Sequence, residues 1–529
     1  MKFGDTIIKI FAQIFFQIKF ILIMLQKYIM EDKMKKRITS FLLSLACVFS
    51  LAGGSYACTG FVAGKNATDD GSLIIARTED LSGAKNKNFK VYPRKVNQAP
   101  VKFKDAIGFE IELPKVSAKY TAIADSEQSE GIYDEVGFNE YGVSMSATVS
   151  AGENELVDKF DPLVENGLSE ASITTVVLPY IKSAKEGVQK VASIVDKQGS
   201  AEGNILYFAD DKEIWYMEIY SGHQYAAVKV PDDKYAVMGN HFMLGYVDPK
   251  GKDSIASKDL INLPQQKGFL KQNDGKFHAA LTYGEEMGDY DRVRVWGGQN
   301  KLSPSNKVDY NKPVFELFRK ADKKISVKDV MELQRYRYED TAKNANLPEN
   351  SKVRAIGATT SMECHVIQMK KDLPKEVGGV MWLAIANAEH SVYLPFFGNI
   401  NSTIEQYTND AQQFDQNSFY WLMRGINVLS AQDRAKFGKN VRAYWSDYEN
   451  KLIANQKAVD AELVKVYKEK GKDAAAKYAT EISEKTSKET FDIATNIYSE
   501  LMTYVAKNDG KVQKDPFMPS YMKKDAKTK

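Results

Sequence analysis

One cysteine stands where an exported chain would begin after cleavage. Cys58 follows Ser55, Tyr56 and Ala57, a run with small residues at the −3 and −1 positions of a secretory cleavage site. If the chain is cut before Cys58, its first residue carries both a thiol and a free α-amine. The reference pKa is about 7.7 to 8.0 for the amine and about 8.5 for the thiol, so the amine can accept the thiol proton as the sulfur attacks a carbonyl. An internal cysteine has an amide nitrogen there, which is not a base.

The residues that follow predict a β-hairpin that brings an arginine to this cysteine. The runs 58–63 and 72–77 have the composition of strands and are joined by a turn rich in Gly, Asn and Asp. Antiparallel pairing about the middle of that turn places Arg77 opposite Cys58, where a guanidinium favours the thiolate. Asp80 is then a candidate to bind the α-amine or a substrate ammonium. A surface ion pair between Arg77 and Asp80 is an equally compatible alternative.

These motifs resemble those of a known family. Ala-Cys-Thr at 57–59 and the later Arg-x-x-Asp are similar to bacterial cysteine dipeptidases of the dipeptidase A type, relatives of choloylglycine hydrolase and penicillin V acylase among the N-terminal nucleophile hydrolases. The runs Glu-Cys-His-Val at 363–366 and Gly-Gly-Val-Met-Trp at 378–382 are further matches. The resemblance implies a four-layer αββα sandwich with helical C-terminal additions, and the mix of short strands and segregated helices independently favours an α+β fold.

The same resemblance implies an activity and further site residues. It implies hydrolysis of dipeptides through Cys58 and a thioester, without a metal or other cofactor. Asn240 matches the catalytic asparagine of the wider family and is a candidate oxyanion donor, although a turn residue at a strand end is the alternative. Arg292 is the preferred active-site arginine and Arg294 the alternative, because two residues apart on a strand they share a face; either also fits a surface salt bridge.

Two more residues are candidates for substrate binding, together with Arg294. Asn139 lies in an Asn-Glu-Tyr-Gly turn that is similar to one in the family. Thr148 lies where acyl hydrolase relatives carry an oxyanion-hole asparagine, which this chain lacks at that place.

The remaining cysteine and histidine signals are weaker. Cys47 lies in the targeting segment, and we expect Cys58 and Cys364 to be free thiols, since a disulfide would consume the nucleophile. Adjacent residues of a strand point to opposite faces, so Cys364 and His365 are predicted to be core packing residues rather than a catalytic dyad. The zinc-protease, Cys-x-x-Cys, P-loop and nucleophile-elbow motifs do not occur in the sequence.

The sequence divides into three parts. Residues 1–57 contain an upstream segment and a signal peptide, with Met34 as the predicted true start, since a basic start, an apolar run and the cleavage site follow it. Residues 58–402 are the predicted catalytic domain, and within them four short strands between Asn204 and His241 predict one antiparallel meander. Residues 403–529 carry long apolar stripes that predict helices packed on the catalytic domain.

The balance of charges limits the classes of partner that the protein is expected to bind. The 529 residues include 72 Lys and Arg against 69 Asp and Glu, so there is no broad basic field for nucleic acid. Small peptides are the expected partners, with no stable membrane span after processing; a homo-oligomer stays open. The expected location is periplasmic or extracellular, and attachment to the envelope stays open.

Two other functions remain open at this stage. One is an amidase acting on acylated amines, as in the bile-salt and penicillin relatives. The other is a surface lipoprotein without enzyme activity, tethered through a lipidated Cys58. Lipoprotein signals usually have an aliphatic residue at −3, where this chain has Ser55, so ordinary signal peptidase fits better.

Overall fold

The computed structural model describes residues 58–507, except 84 and 130, and residues 515–525. The side chains of 148, 524 and 525 lie outside the described part. The predicted signal peptide, Cys47 and the start at Met34 also lie outside the described residues and stay predictions.

The described strands are, in chain order, β1 Thr59–Ala63, β2 Leu73–Asp80, β3 Lys87–Tyr92, β4 Lys95–Val96, β5 Val101–Lys104, β6 Glu110–Leu113, β7 Val116–Ser117, β8 Tyr120–Asp125, β9 Val136–Phe138, β10 Ser144–Ser150, β11 Asn204–Ala209, β12 Ile214–Ile219, β13 Tyr225–Lys229, β14 Tyr235–Met238, β15 Ser254–Ala256, β16 Gln272–Asn273, β17 Lys276–Phe277, β18 Ser361–Met369, β19 Gly379–Ile385 and β20 Leu394–Phe397.

The described α-helices are α1 Glu155–Phe160, α2 Glu170–Val177, α3 Ala184–Gln198, α4 Asn262–Lys267, α5 Ala279–Tyr283, α6 Asp289–Leu302, α7 Val327–Arg335, α8 Phe419–Gln432, α9 Lys439–Lys470, α10 Lys472–Lys507 and α11 Ser520–Asp525. Short 3₁₀ turns occur at Leu178–Tyr180, Pro348–Asn350 and Glu405–Tyr407, and a π-helical turn at Arg434–Gly438.

Two six-stranded antiparallel sheets form the centre of the described chain. The first has the strand order β14-β1-β2-β18-β19-β20, and the second β15-β13-β12-β11-β10-β9. This arrangement of helices with antiparallel sheets confirms the predicted α+β class. Strand β2 contacts β10 and β11 of the second sheet, so the strand of the first sheet that carries Arg77 faces the second sheet.

Alternation along the strands separates two apolar cores. In β11, Ile205 and Tyr207 belong to the core shared with the first sheet. Leu206 and Phe208 belong to a second core, which they form with α2 and α3. Helices α7, α8, α9 and α10 contact strands β18 to β20 of the first sheet. Successive side chains of a strand point to opposite faces, which is why neighbouring residues of β11 belong to different cores.

The hairpin that carries the cysteine is fixed by its turn. Gly71 has a φ of +75°, a conformation that glycine adopts without a Cβ clash. The backbone N–H and the hydroxyl of Ser72 both donate to Oδ1 of Asp70, at 2.9 and 2.6 Å. Strand β2 begins with the apolar residues 73–76 and ends with the polar run 77–80, all of them buried, so its apolar half lies in the core and its charged half forms a site.

Two predictions about secondary structure are wrong. Only β11, β12 and β13 form the meander, because the fourth run, β14, crosses to the first sheet and pairs with β1. A strand's apolar pattern does not say which strand it pairs with, so the sequence could not distinguish the two arrangements. The segment around Arg292 and Arg294 is a helix, α6, and not a strand.

The C-terminal helices contact the sheets through buried ion pairs. Glu449 on α9 is fully buried and binds Arg335 on α7, while its Oε2 accepts from Nζ of Lys328 at 2.9 Å. Its Oε1 also accepts the backbone N–H of Tyr393 at 2.9 Å, just before β20. The predicted boundary near 402 stays a prediction.

Candidate active site

Cys58 lies immediately before β1, at the edge of the space between the sheets. It is 5% exposed. Cys58 and Cys364 are both free thiols, as predicted. Two residues further on, a Cβ at Gly60 would lie only 1.8 Å from Oη of Tyr207 in the second sheet. The missing side chain at Gly60 therefore lets the strand that begins at Cys58 lie directly against Tyr207.

Arg77 contacts the sulfur of Cys58. The guanidinium is fully buried, and its Nη1 donates to Sγ of Cys58 at 3.3 Å. The predicted register is wrong, because Arg77 faces Gly60 rather than Cys58. The error is two residues, and since side chains alternate along a strand, a shift of two keeps Arg77 on the face where it was expected. The guanidinium therefore reaches the sulfur diagonally across the hairpin.

Buried carboxylates hold Arg77 in place. Its Nη2 donates to Oε2 of Glu135, just before β9 in the second sheet, at 2.5 Å. Oε1 of Glu363 on the neighbouring strand β18 lies 3.8 Å from the same nitrogen. Breaking one partner of a buried pair leaves an uncompensated charge and costs about 3 to 5 kcal/mol, so this orientation of the guanidinium is strongly enforced.

Cys364 and His365 face opposite ways, as the alternation of a strand requires. His365 lies across from Arg77 and Cys364 across from Thr78. His365 is fully buried and forms no dyad with Cys364, as predicted, but its ring is also hydrogen-bonded on both sides: Nδ1 lies 3.0 Å from the carboxylate of Glu363, and Nε2 lies 3.0 Å from Oγ of Ser146. His365 therefore anchors the carboxylate that faces Arg77 and does not contact the thiol of Cys58.

The surroundings of Cys58 keep its sulfur protonated. Burial raises the pKa of the Cys58 thiol well above its usual value, and the positive charge of Arg77 only partly opposes this effect. The carboxylates of Glu170, Asp80 and Glu79 raise the pKa further. At neutral pH the residue is a thiol, so its attack on a carbonyl requires a base that removes the proton during the reaction.

Asp80 stabilises the backbone next to the cysteine. It is buried, and its carboxylate accepts from Ser361 Oγ and Arg354 Nη2. It also accepts from Oγ1 of Thr78 at 2.9 Å, and that hydroxyl oxygen accepts the backbone N–H of Thr59 at 3.2 Å. Asp80 thus fixes the residue that follows Cys58, and its own charge is already neutralised by Arg354.

Arg294 is the arginine that meets the nucleophile's backbone. It is fully buried on α6, and its Nη1 donates to the carbonyl oxygen of Cys58 at 2.5 Å and to Oγ1 of Thr59 at 3.3 Å. Its Nη2 donates to Oδ1 of Asn240 at 2.9 Å and also to Asp291. One side chain therefore connects Cys58 to the asparagine predicted as oxyanion donor.

The orientation of the Asn240 amide follows from its partners. A guanidinium only donates, so the atom that faces Arg294 is the amide oxygen. The amide nitrogen donates one hydrogen to the carbonyl of Ser150 at 2.8 Å. The second hydrogen of that nitrogen has no partner among the described residues in the hydrogen-bond network, so it is available to a developing oxyanion.

Arg292 lies away from the cysteine. It is half-buried, and its guanidinium donates to the backbone carbonyls of Met287, Tyr310 and Lys312 at 3.0, 3.3 and 2.8 Å. On a helix, residues two apart point about 200° apart, so Arg292 and Arg294 cannot share a face as they would on a strand. The geometry therefore favours Arg294 over Arg292 as the active-site arginine.

The two remaining candidates are Asn139 and Thr148. The side chain of Asn139 is occupied by backbone groups: it donates to the carbonyls of Leu178 and Ile181 at 2.8 Å each and accepts from the N–H groups of Tyr141 and Val143 at 3.0 and 3.1 Å. It fixes the turn between β9 and β10. Thr148 lies where the pairing of β10 with β11 is irregular, but its side chain is outside the described part.

Several residues of the site were not found from the sequence. Glu79 lies in the polar end of β2, between the candidates Arg77 and Asp80. This position is the feature of the sequence by which it could have been found. Glu135, Glu363 and Tyr207 come from other strands and reach the site only through the packing of the two sheets. Nothing in their local sequence distinguished them.

The described part of the chain has neither a cluster of metal ligands nor a helix suited to a membrane. No group of three or more His, Cys, Asp or Glu residues there is placed to hold a metal ion. None of the helices described is both long and apolar enough to cross a membrane.

The sequence matches the profile of peptidase family C69 over residues 57–447. It is 43% identical over 489 residues to a probable dipeptidase B of Streptococcus pyogenes serotype M1, an alignment that covers 89% of this chain and 98% of the relative. It is 33% identical over 418 residues to a probable dipeptidase of Latilactobacillus sakei, covering 76% and 88%. Among solved structures, penicillin V acylase from Agrobacterium tumefaciens aligns over 64% of this chain and 86% of its own, with 13% identity and a TM-score of 0.29, which is too low to support a conclusion.

Proposed function

The chain belongs to peptidase family C69, and from this membership we propose that it is an exported dipeptidase whose nucleophile is Cys58 at the start of the processed chain. The comparisons confirm the resemblance to cysteine dipeptidases that the sequence motifs indicated, and the chain is a peptidase of the cysteine type. Its action on dipeptides is inferred from its relatives, which are named as probable dipeptidases.

The observation that carries the proposal is that two arginines donate hydrogen bonds to Cys58. Arg77 donates to its sulfur and Arg294 donates to its carbonyl oxygen, at 3.3 and 2.5 Å. Both arginines are fully buried. A cysteine that served only as a lipid attachment point or as core packing would need neither arginine, whereas a nucleophile needs a fixed sulfur in a defined electrostatic field.

The proposed reaction starts from a protonated thiol. The α-amine of the processed Cys58 accepts the thiol proton while the sulfur attacks the scissile carbonyl. The free hydrogen of the Asn240 amide stabilises the oxyanion, and Arg294 fixes that amide through its oxygen. The amine returns the proton to the leaving amino acid, and water then hydrolyses the thioester. In the uncut chain the nitrogen of Cys58 is an amide, so we expect the precursor to be inactive.

The finer details of the fold and of the location are also proposals. The covering of both sheets by helices supports a four-layer αββα sandwich of the N-terminal nucleophile type. The cleavage signal before Cys58 supports export to the periplasm or the cell exterior. The burial of the Cys58 sulfur between the sheets also argues against the lipoprotein alternative.

The test combines processing with activity. The full-length chain is expressed in an exporting bacterial host, and the first residue of the recovered protein is determined by N-terminal sequencing and intact mass. We expect a chain that begins with unmodified Cys58 and hydrolyses dipeptides. Cys58→Ala, processed at the same bond, should lose this activity by at least about 10³-fold. Normal activity in this variant, or in a chain that still carries residues before Cys58, would refute the mechanism.

A further inference from the structure

A small cavity beside Cys58 is lined mainly by carboxylates. Its volume is about 10 Å³, which is room for one group of the size of a water molecule. Besides Cys58, Leu81, Tyr133 and Ser150, the lining consists of five acidic residues and one basic residue: Glu79, Asp80, Asp125, Glu135, Glu170 and Lys85. The excess of negative charge faces the sulfur that attacks the substrate.

In two of these carboxylates, both oxygens already have a partner within the described part of the chain. Asp80 is paired with Arg354 and accepts two hydroxyl groups as well. Asp125 accepts from Nζ of the fully buried Lys87 at 2.7 Å and lies 4.0 Å from Nζ of Lys85. Asp80 was the residue that the sequence suggested for binding an ammonium, but its hydrogen-bonding capacity is used within the fold.

Glu79 and Glu135 each keep one carboxylate oxygen without a partner. Oε1 of Glu79 accepts from Lys87 at 2.9 Å, and Oε2 of Glu135 accepts from Arg77 at 2.5 Å. The other oxygen of each, Oε2 of Glu79 and Oε1 of Glu135, is buried and accepts no hydrogen bond from the residues that the structure describes. An unsatisfied buried acceptor costs about 1 to 3 kcal/mol, and here the two residues that carry such acceptors both line one cavity.

Because these oxygens are buried carboxylate acceptors, the partner that suits them is a positively charged hydrogen-bond donor. Burial raises the pKa of Glu79 to about 7 despite the nearby Lys87, and burial also raises the pKa of Glu135. A positive group in the cavity would relieve this cost. An ammonium carries three N–H donors in a compact group, so it can satisfy both oxygens within a cavity of this size.

We propose that Glu79 and Glu135 bind the α-ammonium group of the peptide substrate, so that the enzyme acts on peptides with a free N-terminus. The proposal rests on the proposed function. In a dipeptide the ammonium is one carbon away from the carbonyl that Cys58 attacks, which matches a cavity adjacent to the sulfur. A substrate acylated on that nitrogen would bring neither the charge nor the small size that the cavity requires.

The α-amine of Cys58 itself is the other possible source of an ammonium. That amine must be neutral to accept the thiol proton, and two carboxylates in contact with it would stabilise its charged form. The substrate ammonium has no such requirement, because it keeps its charge throughout the reaction. The subsite is therefore assigned to the substrate, and the experiment distinguishes the two sources.

The test compares two substrates that differ only in the ammonium. kcat/KM is measured for alanyl-alanine and for its desamino analogue propionyl-alanine, with the processed wild-type protein and with Glu79→Gln and Glu135→Gln. Glu218→Gln is the matched control, because Glu218 is also fully buried with a pKa raised to about 7 by burial, but does not line the cavity. Thermal unfolding of each variant shows whether it is folded at the assay temperature.

We expect the wild type to prefer alanyl-alanine by at least about 100-fold, since a site built for a substrate N–H rejects an analogue that lacks it. Glu79→Gln and Glu135→Gln should each reduce this preference at least about 10-fold, while Glu218→Gln keeps it. Because Glu135 also holds Arg77, its variant should lose rate on both substrates, and the ratio isolates the ammonium contact.

Three outcomes would overturn the proposal. Equal rates of the wild type on the two substrates would do so without any variant. An unchanged ratio in both glutamine variants, together with an equal shift in the pH profile for both substrates, would assign the carboxylates to the amine of Cys58. A correctly processed wild type that cleaves neither substrate would refute the proposed function itself, and the subsite with it.

Discussion

Arg294 offers the sharpest test of how the site is assembled, because the same helix provides its control. All three nitrogens of its guanidinium are engaged: Nη1 with Cys58 and Thr59, Nη2 with Asn240 and Asp291, and Nε with the carbonyl of Tyr290 at 3.1 Å. Arg292, two residues earlier, binds only backbone carbonyls away from Cys58.

The expected effect follows from what each substitution releases. Arg294→Gln frees the amide of Asn240 to rotate, and removing one oxyanion donor costs about 10² to 10³ in kcat. It also leaves Asp291 without its cation, so a loss of stability accompanies the loss of rate. Arg294→Lys retains the charge but cannot bridge Cys58 and Asn240 at once, so we expect it to recover stability more than kcat. Arg292→Gln should change kcat less than about 3-fold.

The assay is dipeptide hydrolysis by the processed chain under saturating substrate, with the folded fraction determined by thermal unfolding at the same pH. The decisive comparison is kcat per folded molecule for Arg294→Gln and Arg292→Gln. If the Arg294 variant keeps more than about half of the wild-type kcat, or if the Arg292 variant loses as much, Arg294 does not orient the oxyanion donor and the reasoning fails.

Three further predictions concern stability. Gly60→Ala should lower the free energy of unfolding by about 1 to 3 kcal/mol in urea titrations, because its Cβ would lie 1.8 Å from Oη of Tyr207; adding Tyr207→Phe should recover part of the loss, and no recovery would place the strain elsewhere. Burial raises the pKa of Glu218 to about 7 in the folded state, above about 4.3 in the unfolded state, so its contribution is fully present below pH 4 and is lost as pH rises through 7. Urea titrations from pH 4.5 to 8 should therefore show the wild type losing stability relative to Glu218→Gln, by up to about 3 kcal/mol, and parallel profiles would contradict the assignment. Glu449→Ala removes the fully buried carboxylate that pairs with Arg335 and leaves Glu332, at 3.0 Å, as its remaining ion-pair partner, so it should cost about 3 kcal/mol. One cooperative calorimetric transition at a lower Tm would show that α9 unfolds with the sheets, and a separate transition would show that it does not.

The sequence predicted those parts of the site that local periodicity determines. The hairpin of β1 and β2 follows from two strand-like runs and a Gly-containing turn, and alternation then fixes which side chains share the face of Cys58. The register of β1 against β2 is not determined in the same way, because the turn sequence does not show at which residues the pairing of the two strands ends. The error of two residues left Arg77 on the correct face, whereas an error of one would have moved it to the other.

The local pattern of polar and apolar residues could not predict contacts between segments that are far apart in the sequence. The choice between Arg292 and Arg294 depended on whether that segment is a strand or a helix, and its mixture of charged and apolar residues fits both periods poorly. Glu135 and Glu363 reach Arg77 from two different strands, one of them in the other sheet. Asn139 shows the converse, since a turn asparagine that satisfies backbone groups has the same sequence context as one that binds a substrate.

The burial of both described cysteines has a consequence for the chemical durability of the protein. Peroxides and alkylating reagents attack thiolates that solvent can reach. Cys58 is 5% exposed and Cys364 is fully buried, and burial holds the pKa of both thiols well above the usual value. An oxidant in the surrounding solution therefore meets a sulfur that is buried and protonated at rest. The Cys58 thiol becomes reactive only when a molecule enters the site and the thiol proton is transferred.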